Sequence, residues 1–314
     1  MLVMLVMNLA TLFCLGINDP GKNPGTYQDY ALQLNPDCYY NWSIYSENNL
    51  DNPKFDPMLW KVTEGNITQA VRLTKAYSGK TWLIYNEPEN VSQANVLPGV
   101  AAQWFNKAYQ QIKAADPTAK VACCGNIVST QGIEWLNKFI PLVAHYPDIW
   151  HIHVYINSNK FNDWKTFIEY WWHWNNTHGN LPTYITETCG MYQDNQEFLL
   201  EDIFSYRHPL LQRVYWFSAF EEPQAGGWNC TLLNSRYDPT SLGDVFKAKN
   251  SLPYSVTPQP EPPTPTQLPT VTPTPVNTVT PIDETTALPP SSEPTPIVDE
   301  PIIFLEYYFP LIFN

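Results

Sequence analysis

The sequence lacks lysine and arginine altogether after Lys249, and it has only 17 basic residues against 30 acidic ones. Residues 250–314 contain seven of these acids, so the body before them carries 23 acids against 17 bases, a net charge of −6. Proteins that bind nucleic acid need clustered positive charge to neutralise phosphates. The charge balance therefore excludes nucleic acid as the expected partner.

Two cofactor motifs are also absent. No C-x-x-C spacing occurs among the six cysteines, which argues against a zinc knuckle or a redox pair. One or two disulfides remain open, for example Cys189 with Cys230 if their loops meet on one rim, while Cys123 and Cys124 are equally well explained as buried thiols. No G-x-G-x-x-G follows an apolar run, so a dinucleotide fold has no support. We expect neither a metal nor a cofactor.

The two ends of the chain differ from its body. Met1–Ile17 is nearly all apolar but has no basic residue and no clear cleavage site, so Met1–Met7 is left open between a signal peptide and the start of the fold. Residues 253–302 hold 15 of the 30 prolines and predict a disordered, extended linker. An apolar tail follows at 303–314, too short to span a membrane. It suggests attachment at the cell surface, with docking back onto the body as the alternative.

The body, residues 8–252, reads as eight strands alternating with helices, a pattern that predicts a parallel sheet. The predicted strands are Leu12–Asn18, Asp37–Trp42, Lys54–Trp60, Thr81–Asn86, Lys120–Asn126, Ile149–Ile156, Thr183–Thr186 and Arg213–Phe220. The predicted helices are Ile67–Tyr77, Pro98–Ala115, Gly132–His145, Trp164–Trp174, Gln196–Tyr206 and Leu242–Lys249. Eight units in a body of this length predict an α/β fold, a single monomeric (β/α)8 TIM barrel.

Two glutamates follow predicted strands directly. Glu87 ends the fourth strand in Asn86-Glu87-Pro88, and Glu187 follows Tyr184-Ile185-Thr186 of the seventh. Catalytic groups of such barrels lie at the C-terminal ends of the strands. Glycoside cleavage needs one carboxyl group to protonate the leaving oxygen and another to attack the anomeric carbon. The placement predicts Glu87 as acid/base and Glu187 as nucleophile.

The chain resembles the Asl1-like family of glycosyl hydrolases, retaining (β/α)8 enzymes that include β-1,3-glucanases. Six segments carry this resemblance in order along about 180 residues: Tyr39–Ser43, Pro57–Trp60, Tyr85–Pro88, His151–Tyr155, Ile185–Glu187 and Tyr215–Phe217. Two positions depart from the family pattern. Glu89 stands where the family usually has aspartate, and Thr188-Cys189 stands where it usually has phenylalanine followed by glycine.

The resemblance implies roles for further residues. Asn86 would bind the sugar 2-hydroxyl, with a strand-end cap as the alternative. Tyr155 would hold the nucleophile in place, and Trp216 would form the floor of the subsite where the bond is cleaved. Trp42 and Trp60 stand at strand ends where an aromatic plane can stack on a pyranose. For each tryptophan, packing within the barrel is the competing interpretation.

Two histidines alternate on the sixth predicted strand. The i, i+2 spacing of His151 and His153 points both to one side of the strand, an arrangement that also suits a metal site. We favour His153 as a contact of the sugar or a carboxylate in the cleft, and His151 as a buried, hydrogen-bonded histidine. A metal-dependent hydrolase is the alternative.

These observations predict a secreted or cell-surface enzyme that cleaves a β-glucan with retention of configuration. An endo-β-1,3-glucanase is the expected activity. A catalytically inactive, carbohydrate-binding barrel at the cell surface is the alternative from another class.

Overall fold

The computed structural model describes residues 11–18, 24–45, 54–156, 161–190, 196–220 and 230–250. Met1–Met7, the linker at 253–302 and the tail at 303–314 lie outside these ranges, so the expectations for them stay predictions. In the described part, no helix is long and apolar enough to cross a bilayer.

Eight parallel strands form a barrel that is nearly closed. They are β1 (Leu12–Gly16), β2 (Tyr39–Tyr40), β3 (Met58–Leu59), β4 (Thr81–Ile84), β5 (Lys120–Ile127), β6 (Ile149–Ile156), β7 (Thr183–Gly190) and β8 (Leu211–Trp216). The sheet runs in the order β2-β1-β8-β7-β6-β5-β4-β3. A bridge between Tyr39 and Phe55, just before β3, joins the two edges. The predicted TIM barrel is confirmed.

Seven α-helices are described around the barrel. They are α1 (Pro24–Leu32), α2 (Glu64–Ala76), α3 (Pro98–Ala115), α4 (Thr130–Phe139), α5 (Phe161–Thr177), α6 (Gln196–Ser205) and α7 (Ser241–Asn250). Helix α1 was not predicted, because the short segment Pro24–Leu32 has little amphipathic periodicity. No helix joins β2 to β3 in the described residues, and 46–53 lie outside them.

Side-chain caps explain why two helices begin before their predicted starts. Thr63 caps α2 in a reciprocal capping box: its backbone N–H donates to Asn66 Oδ1 at 2.7 Å. Ser129 caps α4, because its Oγ accepts from the backbone N–H of Gly132 at 3.1 Å. Helix α4 also ends earlier than predicted, at Phe139, and a 3₁₀ turn at Ile140–Leu142 continues it.

The barrel interior is apolar near its middle, with an ion pair buried beside it. The core contains Cys14, Cys38, Tyr40, Met58, Leu83, Ala122, Ile149, Tyr184 and Tyr215. Asp56, only 4% exposed, accepts hydrogen bonds from the Arg213 guanidinium and from the Tyr215 hydroxyl at 2.5 Å. The Arg213 guanidinium also lies 4.6 Å from the centre of the Tyr184 ring. A charge buried in this way depends on its partner for stability.

All six cysteines form disulfides. The pairs are Cys14–Cys38, Cys123–Cys124 and Cys189–Cys230. The Cys189–Cys230 pairing is confirmed, and it ties the end of β7 to the segment after β8. The expectation of at most two disulfides was wrong, because adjacent strands bring Cys14 to Cys38 and because the neighbours Cys123 and Cys124 are bonded to each other rather than free.

Candidate active site

The segment that carries Glu87 leaves strand β4 through left-handed backbone. Tyr85 has φ +70° and Glu87 has φ +46°, so the strand ends at Ile84 rather than at Asn86 as predicted. The backbone N–H of Glu87 donates to the carbonyl of Gly125 at 3.1 Å. Gly125 itself has φ +71°, and a Cβ there would lie 3.3 Å from Asn86 Cα. A residue with a side chain would push the two segments apart.

Glu87 and His153 are direct neighbours in the barrel mouth. His153 Nδ1 lies 2.9 Å from Glu87 Oε1, and the Asn90 amide donates to Glu87 Oε2 at 2.8 Å. Glu87 is 3% exposed and His153 is fully buried. The prediction that His153 contacts a carboxylate in the cleft is confirmed.

Glu187 lies within strand β7 and accepts more hydrogen bonds than Glu87. Its Oε1 accepts from the Tyr40 hydroxyl at 2.9 Å and from the Trp42 indole at 2.8 Å. Its Oε2 accepts from the Tyr155 hydroxyl at 2.5 Å, and His153 Nδ1 lies 3.3 Å away. Donors aimed at a carboxylate favour its charged form. The surroundings therefore differentiate the two glutamates.

The charges of the site depend on one another. Burial raises the pKa of Glu187, while His153 and the Tyr155 and Trp42 donors oppose this rise and the Glu87 carboxylate adds to it. Burial disfavours the cation of His153, but the surrounding carboxylates of Glu187, Glu87 and Glu89 raise the His153 pKa overall. The histidine thus lies between two carboxylates and can balance the charge of either.

His151 has a different role from His153. It is fully buried, its Nε2 lies 2.9 Å from the Ile84 carbonyl, and its Nδ1 lies 3.1 Å from Thr186 Oγ1. Burial lowers its pKa to about 3. The interpretation of His151 as a buried, hydrogen-bonded histidine is confirmed.

The remaining predicted site residues, Asn86 and three tryptophans, differ in burial and in the groups that they contact. Asn86 is 3% exposed, its Nδ2 donates to Gln93 Oε1 at 3.3 Å, and its Oδ1 is buried without a partner. Trp42 binds Glu187 directly, a contact that the stacking prediction did not include. Trp60 is half-buried and packs against the apolar core. Trp216 is fully buried and donates to the Cys230 carbonyl at 2.8 Å, so its position gives no support to a sugar contact.

Sequence reasoning missed three residues of the site. Tyr40 was noted only as part of a motif, although its hydroxyl binds Glu187. Asn90 binds Glu87 from the same turn of the chain. Phe217, just after Trp216, is half-buried and meets the rings of Trp42 and Tyr155 edge-on at 5.8 Å each. The alternation of side chains along a strand could have pointed to Phe217, because it places neighbours 216 and 217 on opposite sides.

The site also has the ligand types of a metal centre. One atom each of Glu87, His153 and Glu187 lies within 4.8 Å of the others. Two carboxylates and an imidazole are ligands that divalent transition metals accept. The same grouping gives a carboxyl pair whose nearest oxygens are close enough to act on one bond.

A model of the glycosyl hydrolase catalytic core family matches residues 23–246, which is most of the chain. No similar sequence was found among curated proteins.

Solved structures share the fold at low sequence identity. A family 128 endo-β-1,3-glucanase from Sorangium cellulosum is 18% identical, with a TM-score of 0.58 over 76% of this chain and 98% of that chain. A curdlan-specific exo-β-1,3-glucanase from Blastomyces gilchristii is 20% identical, with a TM-score of 0.60 over 76% and 99%. An endo-β-1,3-glucanase from Amycolatopsis mediterranei, solved with laminaritriose, is 18% identical, with a TM-score of 0.57 over 76% and 99%.

Proposed function

The chain belongs to the glycosyl hydrolase catalytic core family, and on that premise we propose that it is a retaining endo-β-1,3-glucanase. The observation that carries the proposal is the pair Glu87 and Glu187, which are buried together and joined through His153. Their nearest oxygens lie within 4.8 Å. Retaining enzymes hold their two carboxyl groups about 5 Å apart, whereas inverting enzymes leave room for a water between them. β-1,3-Glucan as substrate follows the similar solved structures, which include both endo- and exo-acting β-1,3-glucanases.

In the first step, the Glu87 carboxyl group protonates the glycosidic oxygen while a Glu187 oxygen attacks the anomeric carbon. The C–O bond to the leaving sugar breaks, and a glycosyl ester forms on Glu187. Tyr40, Trp42 and Tyr155 hold the attacking carboxylate in place through their hydrogen bonds. Such preorganised contacts lower the barrier because they need no rearrangement during the reaction.

In the second step, Glu87 acts as a base. Glu87 gave its proton to the leaving group in the first step, so it enters the second step as a carboxylate. The ionised Glu87 takes a proton from water, the water oxygen attacks the anomeric carbon, and Glu187 is released. Two inversions leave the product with the configuration of the substrate.

Three further features belong to the proposal. Asn86 has a buried Oδ1 without a partner, which suits a hydroxyl of the bound sugar. Trp42 binds Glu187, and Phe217 meets the Trp42 ring edge-on, so the two rings form an aromatic surface that suits the apolar face of a pyranose. Disulfides persist in oxidising compartments, so the three disulfides support secretion.

Product analysis tests the reaction. Incubation with laminarin should release oligosaccharides of several lengths, and NMR should show the β-anomer first. Glu87→Gln should lower turnover by about 10²- to 10⁴-fold. Glu187→Gln should abolish it, and the exposed Glu134→Gln is the control. Release of the α-anomer, or an active Glu187→Gln variant, would contradict the mechanism.

Two alternatives give different outcomes in the same experiment. Glucan binding without any release of reducing ends would identify an inactive binding barrel. The Glu87, His153 and Glu187 grouping keeps a metal-dependent hydrolase as a second candidate. EDTA would then remove activity and zinc or manganese would restore it, whereas the proposed mechanism predicts no effect of EDTA.

A further inference from the structure

Glu89 is a buried carboxyl group that the proposed reaction does not use. It is 9% exposed and lies two residues after Glu87. Its Oε1 accepts from the backbone N–H of Ile127 at 2.7 Å, and its Oε2 accepts from the Asn126 amide at 2.7 Å. Its backbone carbonyl accepts from the Gln131 amide at 2.9 Å. One residue is thus bound to the end of strand β5 and to the start of helix α4.

The same turn holds the acid/base. The backbone N–H of Asn90 donates to the Glu87 carbonyl at 3.0 Å, and the Asn90 side chain donates to Glu87 Oε2. Glu89 stands between these two residues in the chain. Two hydrogen bonds between Asn90 and Glu87 therefore close the turn Glu87–Asn90. The side chain of Glu89 attaches this turn to the neighbouring strand β5.

Helix α4 packs closely against this attachment. A Cβ at Gly132 would lie 2.0 Å from the Ile127 carbonyl oxygen and 3.3 Å from Glu89 Oε1. Only glycine lets the helix start so near to the strand. The Glu89 carboxyl group is enclosed by the turn, the strand and the helix.

We propose that Glu89 is a positioning residue for Glu87, holding the turn that carries the acid/base against the end of strand β5 through its carboxyl group. This inference rests on the proposed role of Glu87. Removal of the carboxyl group would free the turn and leave the Ile127 N–H and the Asn126 amide buried without their partner. Misplacement of an acid by about 1 Å is enough to slow catalysis strongly.

The carboxyl group of Glu89 adds little negative charge to the site near neutral pH. Burial raises the pKa of Glu89 to about 8, the Glu87 carboxylate adds to the rise, and backbone hydrogen bonds and His153 oppose it. A protonated Glu89 keeps its bonds, because the Asn126 amide can rotate to accept from the carboxylic acid. A glutamine at this position can bind the same two partners: its oxygen accepts from the Ile127 N–H, and its nitrogen donates to the rotated Asn126 amide.

Two substrates separate positioning of the acid from a general loss of structure. Glu89→Ala should lower kcat/KM on laminarin at least tenfold. It should change kcat/KM on a dinitrophenyl β-1,3-oligoglucoside less than threefold, because that leaving group departs without protonation. Asp148→Asn is the matched control: Asp148 also binds a backbone N–H, that of Val121, at the opposite end of strand β5. It should affect both substrates by the same factor.

The glutamine variant tests which property of Glu89 matters. Glu89→Gln should keep kcat/KM on laminarin within threefold of the wild type. When kcat/KM is plotted against pH, its fall at alkaline pH should occur at the same pH as in the wild type. A loss as large as that of Glu89→Ala would overturn the proposal, as would equal losses of Glu89→Ala on both substrates.

Hydrogen exchange tests the attachment without any turnover. Amides of residues 86–97 should exchange faster in Glu89→Ala than in the wild type or in Asp148→Asn, as measured by mass spectrometry. Unchanged exchange would overturn the proposal. A wild-type protein that releases no sugar from glucan would instead refute the proposed function, and the exchange result would still decide the role of Glu89.

Discussion

Gly125 is a position where one added methyl group should affect both stability and turnover. Its φ of +71° disfavours any side chain, and a Cβ would lie 2.9 Å from His151 Cε1 and 3.2 Å from the Tyr85 carbonyl oxygen. The left-handed backbone costs a non-glycine residue about 1–2 kcal/mol. Overpacking in a dense interior adds about 1–3 kcal/mol. Gly125→Ala should therefore lower the free energy of unfolding by roughly 2–5 kcal/mol.

Gly79 offers a matched control. Its φ of +76° is nearly the same, but a Cβ there meets no atom within 4 Å. Gly79→Ala should cost only the backbone contribution of about 1–2 kcal/mol and leave kcat unchanged. In Gly125→Ala, kcat on laminarin should fall by about 10²-fold, because the Gly125 carbonyl holds the backbone of Glu87.

Urea titration followed by tryptophan fluorescence measures the free energies, and reducing-sugar release measures kcat. Equal destabilisation of the two variants would refute the steric argument. A Gly125→Ala protein that is destabilised but turns over normally would refute the link between this glycine and the placement of Glu87.

Three further perturbations have expected magnitudes. Asp56→Asn leaves the half-buried Arg213 charge without its partner and should cost about 3–5 kcal/mol in urea titration; a loss below 1 kcal/mol would contradict the importance of this pairing. Replacing Cys189 and Cys230 together by serine removes a cross-link across 41 residues and should cost about 4 kcal/mol, checked under non-reducing conditions. Because the pKa of His153 is raised, its stabilising charge is fully present below the unfolded value of about 6.5 and is lost as pH rises through the folded value. His153→Gln should thus destabilise more at pH 5.5 than at pH 9, and a pH-independent loss would contradict this.

The positions of the strands were predictable because each lies in an apolar run between turn residues. Their lengths were not: β2 and β3 are only two residues long, and β7 continues past its predicted end at Thr186, so that Glu187 lies within it. Strands β5 and β6 correspond closely to their predicted ranges. Strand β4 was predicted two residues too long, because the left-handed backbone at Tyr85 depends on contacts with a neighbouring strand. Helix α1 was missed because its residues carry almost no periodic pattern.

For the candidate site, sequence placed Glu87 and Glu187 at the mouth of a barrel but could not show what surrounds them. Tyr40 and Trp42 lie 147 and 145 residues from the glutamate that they bind. Trp216 and Phe217 are neighbours in sequence, yet Trp216 is fully buried, whereas Phe217 is half-buried and contacts the rings of Trp42 and Tyr155. Contacts between distant parts of the chain depend on strand register, which local pattern does not specify.

The sequence by itself determined the barrel, its two glutamates and the class of reaction they favour, because runs of adjacent residues indicate each of them. Tertiary structure alone decided how the glutamates differ. Closure of the barrel brings three donors to Glu187, places His153 between the two carboxyl groups, and seals Glu89 behind the turn of Glu87. Charge and hydrogen bonding act over a few ångströms in space, so only the folded chain can assign them.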